Sequence, residues 1–211
     1  MINHLSWKEA LSKRNFRIHL FLSGFAGIAL ISFLPYFFTE ILLPKPGVIL
    51  DDYILNLLEP RDWSWLIFGI IYLSILLTIS FNISNAYTIL LGIECYIGIN
   101  LFRIITLYVI TLEPPIDIIP LIDPIVTKIA YGNVVYLKDL FFSGHVSTLF
   151  LLFLLEENKA RKILLLTSTF VVASLIVWQH VHYSIDVLFA PLFAWAIHSI
   201  VKKILSTANL S

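Results

Sequence analysis

Two short polar stretches interrupt an otherwise apolar sequence: Ser143-Gly144-His145 and His180-Val181-His182-Tyr183-Ser184-Ile185-Asp186. His182 and Asp186 are four residues apart, a spacing that on a helix puts both on one face about a turn apart. The carboxylate then accepts a hydrogen bond from one imidazole nitrogen, which fixes the tautomer. The other nitrogen keeps an outward lone pair and can act as a nucleophile or base. His145 is left for the opposite proton duty, donating to a leaving oxygen and later taking a proton from an acceptor hydroxyl. Gly144 allows close approach of backbone to a phosphate, and a helix starting there presents unpaired N–H groups to it. Taken singly, each histidine also fits an ordinary interfacial side chain. Together, His145, His182 and Asp186 suit the movement of a phosphoryl group. His180, two residues from His182, would face away on a helix and is read as structural. A metal set of His145, His180, His182 and Asp186 is conceivable on ligand type. The H-x-H spacing, however, suits a strand or turn better than a helix start, so neither metal nor cofactor is expected.

The elements that must position these residues are membrane helices. Of the 211 residues, 59% are hydrophobic and only 13% charged, and the mean hydropathy is +0.90. Such values describe an integral membrane protein. The formal net charge is zero, which gives no global basic field for nucleic acid. The single cysteine, Cys95, lies in an apolar run and reads as a buried thiol.

Apolar runs predict six spans, at about residues 20–43, 65–81, 87–112, 140–155, 163–178 and 184–204, in one membrane domain covering residues 1–211. The first is too long for a signal-peptide core and is read as a retained span, with Pro35 tolerated as a kink. Residues 44–63 form a polar, proline-broken connection that ends in Trp63 and Trp65 at a membrane boundary. Residues 113–138 are proline-rich yet apolar and are expected to lie on or dip into the interface.

Six spans put both termini on one side. Lys8, Lys13, Arg14, Arg17, Lys159, Arg161, Lys162, Lys202 and Lys203 fall on that side, against Lys45, Arg61, Lys128 and Lys138 on the other. The positive-inside rule then makes the termini cytoplasmic. Both polar stretches fall at the extracytoplasmic ends of their helices, one helical hairpin apart. Two charges sit inside the third span, and intramembrane charges are functional or paired. Glu94, toward the cytoplasmic half, is expected to have a structural partner. Arg103, about 13 Å below the outer end by helical rise, is open to two roles, phosphate binding or pairing with a carboxylate.

The segments Lys138-Asp139-Leu140-Phe141-Phe142-Ser143-Gly144-His145 and His182-Tyr183-Ser184-Ile185-Asp186-Val187 resemble the sphingomyelin synthase branch of the type 2 phosphatidic acid phosphatase superfamily. The run Arg103 to Leu112, followed by prolines, is similar to the arginine-threonine-proline segment before the lumenal loop of those enzymes. The resemblance covers about residues 80–205 and includes the six-span topology. It implies that His182 attacks the phosphorus of a lipid phosphate ester, Asp186 supports it, and His145 protonates the departing oxygen. Arg103, Lys138, Ser143, Gly144 and Tyr183 are the substrate-binding residues it suggests, and its partners are a membrane phospholipid donor and a lipid alcohol acceptor such as ceramide.

Phosphatases of the superfamily carry an arginine six residues before the last histidine and an upstream lysine-arginine pair. Here that position is Ile176, and no such pair is visible. A monoester with nearly two negative charges needs several cations, whereas a diester carries one. Headgroup transfer is therefore expected ahead of monoester hydrolysis. Val181 stands where the synthases have an acid, which leaves the headgroup open. The alternatives are a lipid phosphatase using the same three residues and a non-catalytic lipid-binding membrane protein.

Overall fold

A computed structural model describes residues 4–123 and 136–208. The described residues are helical with no strand; one isolated parallel bridge joins Val48 to Leu112. A short helix α1 (Trp7–Ser12) precedes α2 (Arg14–Tyr36), which runs on into a π-helical turn, Phe37–Leu42. Then come α3 (Ser64–Asn82), α4 (Ala86–Val109), α5 (Gly144–Leu155), α6 (Lys159–Trp178) and α7 (Ser184–Thr207). Within residues 44–63 there is one 3-10 turn, Leu55–Leu57.

Five helices are long and apolar enough to cross a membrane, namely α2 with its π turn, α3, α4, α6 and α7. The expected fourth span is the exception. At 12 residues, α5 is about 18 Å long, well short of a hydrocarbon core of about 30 Å. Its start is fixed at Gly144 rather than near Leu140 because Ser143 is extended (φ −60°, ψ 118°) and its hydroxyl accepts from Val146 N. Leu140, Phe141 and Phe142 are buried ahead of it outside any helix. Its end is fixed by Glu156, whose buried carboxylate accepts from the backbone of Glu157 and Asn158 and from the Arg161 guanidinium. The short helix stands at the centre, packed by α3, α4, α6 and α7, so protein rather than lipid surrounds its ends.

Pro35, expected to be tolerated as a kink, lies inside α2 just before the π-helical turn. A proline has no N–H to give, and beyond it the backbone shifts to wider turns, with Leu43 N donating to Phe38 O at 3.0 Å and Thr39 Oγ1 to Pro35 O at 2.9 Å. This turn buries Phe37, Phe38 and Leu42 against Leu107 of α4. On the terminal side of the bundle, Glu94 of α4 is paired with α2, at 2.8 Å from His19 Nδ1 and 3.1 Å from Ser23 Oγ. Cys95 is a free, fully buried thiol.

Candidate active site

The two polar stretches meet. Where α6 ends, His180 takes a left-handed conformation (φ 58°). Its N–H bonds Val177 O, and Val181 N–H bonds Ile176 O, each at 3.0 Å, the double closure that satisfies the last carbonyls of a helix. Within five residues the chain has reversed and α7 begins. A backbone bond from Ser143 N to Asp186 O, 3.2 Å, then ties the start of α5 to the first turn of α7. His145 and His182 come to rest with ring centroids 6.4 Å apart, inclined at 69°.

His182 Nδ1 lies 3.2 Å from Asp186 Oδ2. The pairing does not arise from a shared helical face, because α7 starts only at Ser184 and Tyr183 is extended (ψ 155°). His182 stands outside the helix, and Asp186 reaches back over the helix start, where the same oxygen also accepts from Tyr183 N at 3.1 Å. One carboxylate thus caps the helix and orients the imidazole. His182 is 2% exposed and Asp186 fully buried. Two polar atoms here, His145 Nδ1 and Asp186 Oδ1, are buried without a hydrogen-bond partner among the described residues.

Arg103, nearly buried, donates from Nε to Phe142 O at 2.9 Å and forms an ion pair with Asp139 through its Nη2. Pairing with a carboxylate, one of the two roles open to it, is present in the fold. Arg103 sits six residues, about 9 Å, from the end of α4. Its guanidinium packs against Gly144, and a Cβ there would lie 2.8 Å from Nη1 and 2.9 Å from Cζ. The glycine makes room for arginine as much as for any phosphate.

The other residues suggested for substrate also make hydrogen bonds within the fold. Lys138 Nζ donates to Glu113 Oε1 (2.7 Å), Lys45 O (2.9 Å) and Leu43 O (3.1 Å), which uses its three protons. That bond holds the Glu113 carboxyl below the usual carboxylate range. The Tyr183 hydroxyl is buried, donating to Glu113 O at 3.0 Å and accepting from Leu50 N at 3.3 Å. Ser143 is the buried cap of α5. His180 Nε2 lies 3.1 Å from Leu58 O. Because a carbonyl only accepts, that nitrogen carries the proton. No group of three or more histidine, cysteine, aspartate or glutamate side chains among the described residues is arranged to hold a metal ion.

Asp52 is the residue that patterns and spacing did not single out. Its carboxylate accepts from Ser184 N (2.6 Å), Ser184 Oγ (3.0 Å) and Ile54 N (3.0 Å). The 44–63 connection is thereby clamped onto the first turn of α7. Burial pushes the Asp52 carboxyl up, but the bonds from Ser184, Ile54 and Leu55 outweigh it and hold it below its ordinary value. In the sequence it is one of several acids in a polar connection, and nothing there marks it as a partner of a helix 132 residues away.

The fold and site define a class, a multi-pass helical membrane protein with two facing histidines and a carboxylate at the junction of two helix starts. Residues 138–204 match the family model for the PAP2 superfamily C-terminal region, a stretch that contains α5, α6, most of α7 and both polar stretches. The match supports membership of the PAP2 superfamily, whose members are typically phosphatases or phosphotransferases, and hence an enzyme of lipid phosphatase or phosphotransferase type. Curated proteins show no match to the chain.

Proposed function

We propose that the protein is a lipid headgroup phosphotransferase of the sphingomyelin synthase-like kind, with His182, Asp186 and His145 as its catalytic residues. The observation that carries this reading is the pair of imidazoles 6.4 Å apart, one of them backed by a carboxylate. His182 Nε2 attacks the phosphorus of a glycerophospholipid. The N–P bond forms as the P–O bond to diacylglycerol breaks, and the proton of His145 goes to the departing oxygen. In the second half, His145 takes the proton of a lipid hydroxyl, the new P–O bond forms and the N–P bond breaks.

The electrostatics favour a diester donor. Arg103 is already paired with Asp139 and Lys138 with Glu113, so neither brings an uncompensated charge to a dianionic monoester. In this reading α5 completes a six-helix arrangement as a short central helix, both termini are cytoplasmic, and the histidines face the extracytoplasmic side, in keeping with nine basic residues on the terminal side against four on the other. Hydrolysis by the same residues is the second reading, since water replaces the lipid alcohol without any change in the first half-reaction.

Purified protein in vesicles with labelled phosphatidylcholine or phosphatidylethanolamine, with and without ceramide, tests the proposal. Transfer to ceramide that disappears in His182→Ala supports it. Free phosphate released from a monoester selects the phosphatase, and turnover that survives in His182→Ala overturns the catalytic assignment. A chelator leaves the rate unchanged; loss of activity restored by zinc would bring back a metal site.

A further inference from the structure

Toward the end of the bundle that holds the histidines, α2 and α4 part. On the terminal side they touch, with Glu94 bonded to His19 and Ser23 and Gly27 so placed that a Cβ there would lie 3.8 Å from Ile97 Cδ1. Beyond Pro35, the π turn packs Phe37, Phe38 and Leu42 against Leu107. Ile105, Tyr108 and Val109 of α4 are left 57%, 51% and 70% exposed. With Phe33, Phe37 and Ile41 they line a groove of about 450 Å³, a volume in the range of small-molecule sites.

Lipid tails are as apolar as leucine, so exposed apolar side chains on a membrane helix are covered by the bilayer and by themselves distinguish nothing. What sets this groove apart is the cation at its head. Lys45, three residues beyond the π turn, has its Nζ 3.8 Å from the centroid of the Tyr108 ring and donates to Tyr108 O. Among the described residues, no carboxylate pairs with it and no second oxygen accepts from it. An ammonium carries three protons, so two remain for an acceptor that the fold does not supply. Lys138, which donates to Lys45 O, has all three of its own protons bonded.

We propose that this groove binds one phospholipid, with an acyl chain lying between α2 and α4 and the phosphate accepting from Lys45 Nζ. A neutral lipid with the same tail, such as a diacylglycerol, would leave the ammonium uncompensated. The bound lipid is held and not turned over. By helical rotation, Ile105, Tyr108 and Val109 stand about 140–240° round α4 from Arg103, whose guanidinium packs against Gly144 beside His145. The groove and the histidines therefore lie on opposite faces of one helix, and the lipid site is independent of the reaction proposed above. Lysine at a helix C-terminus also satisfies the last carbonyls, so a loss of stability in a Lys45 variant would not identify a lipid.

Discrimination between two lipids with the same tail would. Purified full-length protein, carrying His182→Ala so that neither probe is consumed, is placed in dioleoylphosphatidylcholine bilayers with a trace of phosphatidylcholine or diacylglycerol bearing the same diazirine-tagged acyl chain. After irradiation, labelled peptides are quantified by mass spectrometry against those of α3, whose exposed Leu73 and Leu76 report ordinary contact with the bilayer. The phosphatidylcholine probe is expected to label segments 33–41 and 105–109 about fivefold more than the diacylglycerol probe, the factor that one basic side chain near a membrane surface supplies. On α3 the two probes label alike. Lys45→Gln brings the ratio in the groove to about one, and Lys45→Arg, which keeps the charge, retains most of it. Ile105→Trp, at an exposed position on the groove wall, fills the groove and lowers its labelling by the phosphatidylcholine probe while α3 is unchanged. Equal labelling of the groove by the two probes, or a preference that survives Lys45→Gln, overturns the proposal. If Lys45→Gln does not fold, the ratio with Lys45 intact and its loss in Ile105→Trp decide.

Discussion

Gly144 and Arg103 show how tightly single residues are matched at this site. The guanidinium is pinned by Phe142 O and Asp139, so it cannot swing aside cheaply when a Cβ arrives at 2.8 Å. Gly144→Ala is therefore expected to cost about 1–3 kcal/mol, the usual range for overpacking, and to lower activity by displacing the backbone ahead of His145. Arg103→Ala removes the clash along with its own bonds. The double variant should then be less destabilised than the sum of the two single ones, as thermal unfolding in a double-mutant cycle would reveal. Strict additivity would mean that the contact carries no energy. At this scale the sequence was partly legible. The four-residue spacing of His182 and Asp186 did pair them, but the pair forms across a helix start rather than along a helix face, because Tyr183 is extended and Asp186 caps the turn. Lys138 and Tyr183, read as substrate ligands, make hydrogen bonds to distant segments that the sequence did not name.

Among the elements, the start of α7 depends on a connection distant in sequence. Asp52 supplies the side-chain acceptor for its first N–H, that of Ser184, and for the Ser184 hydroxyl, and loss of such a cap costs about 1 kcal/mol. Asp52→Ala should lower the unfolding temperature and, by loosening the turn that carries His182, reduce the rate more than the affinity for lipid. The pH dependence follows from the direction of the shift. A carboxyl held below its ordinary value in the fold contributes stability above about pH 4, its unfolded value. That contribution is lost as pH falls through the lower folded value. Asp52→Asn should thus differ most from wild type near neutral pH and converge with it in acid. A difference that grows on acidification would contradict the cap. Helix α5 teaches the same lesson about elements. Hydropathy marks residues 140–155 as a span, whereas Ser143 and Glu156 confine the helix to 12 residues, which the surrounding helices accommodate.

For the molecule as a whole, the unequal distribution of basic residues makes a prediction about sidedness. Cys95 is fully buried, so wild type supplies a quiet background for labelling with a membrane-impermeant maleimide. On intact cells, Arg61→Cys, on the side of the proposed site, should react, and Lys159→Cys, at the start of α6, should not. The opposite pattern would put the histidines on the cytoplasmic face. The helical, multi-pass character was legible from composition and apolar runs alone, because burial in lipid imposes a one-dimensional constraint on hydropathy and length. The same holds for the three chemically suggestive side chains, whose types and spacing are local properties of the chain. What required the tertiary structure was every relation between distant segments: Asp139 paired with Arg103, Glu113 with Lys138, Asp52 with Ser184, and Asp123 drawn down to Tyr72. Those bonds depend on which helix ends the bundle brings together, and no periodicity in a sequence records a contact made across it.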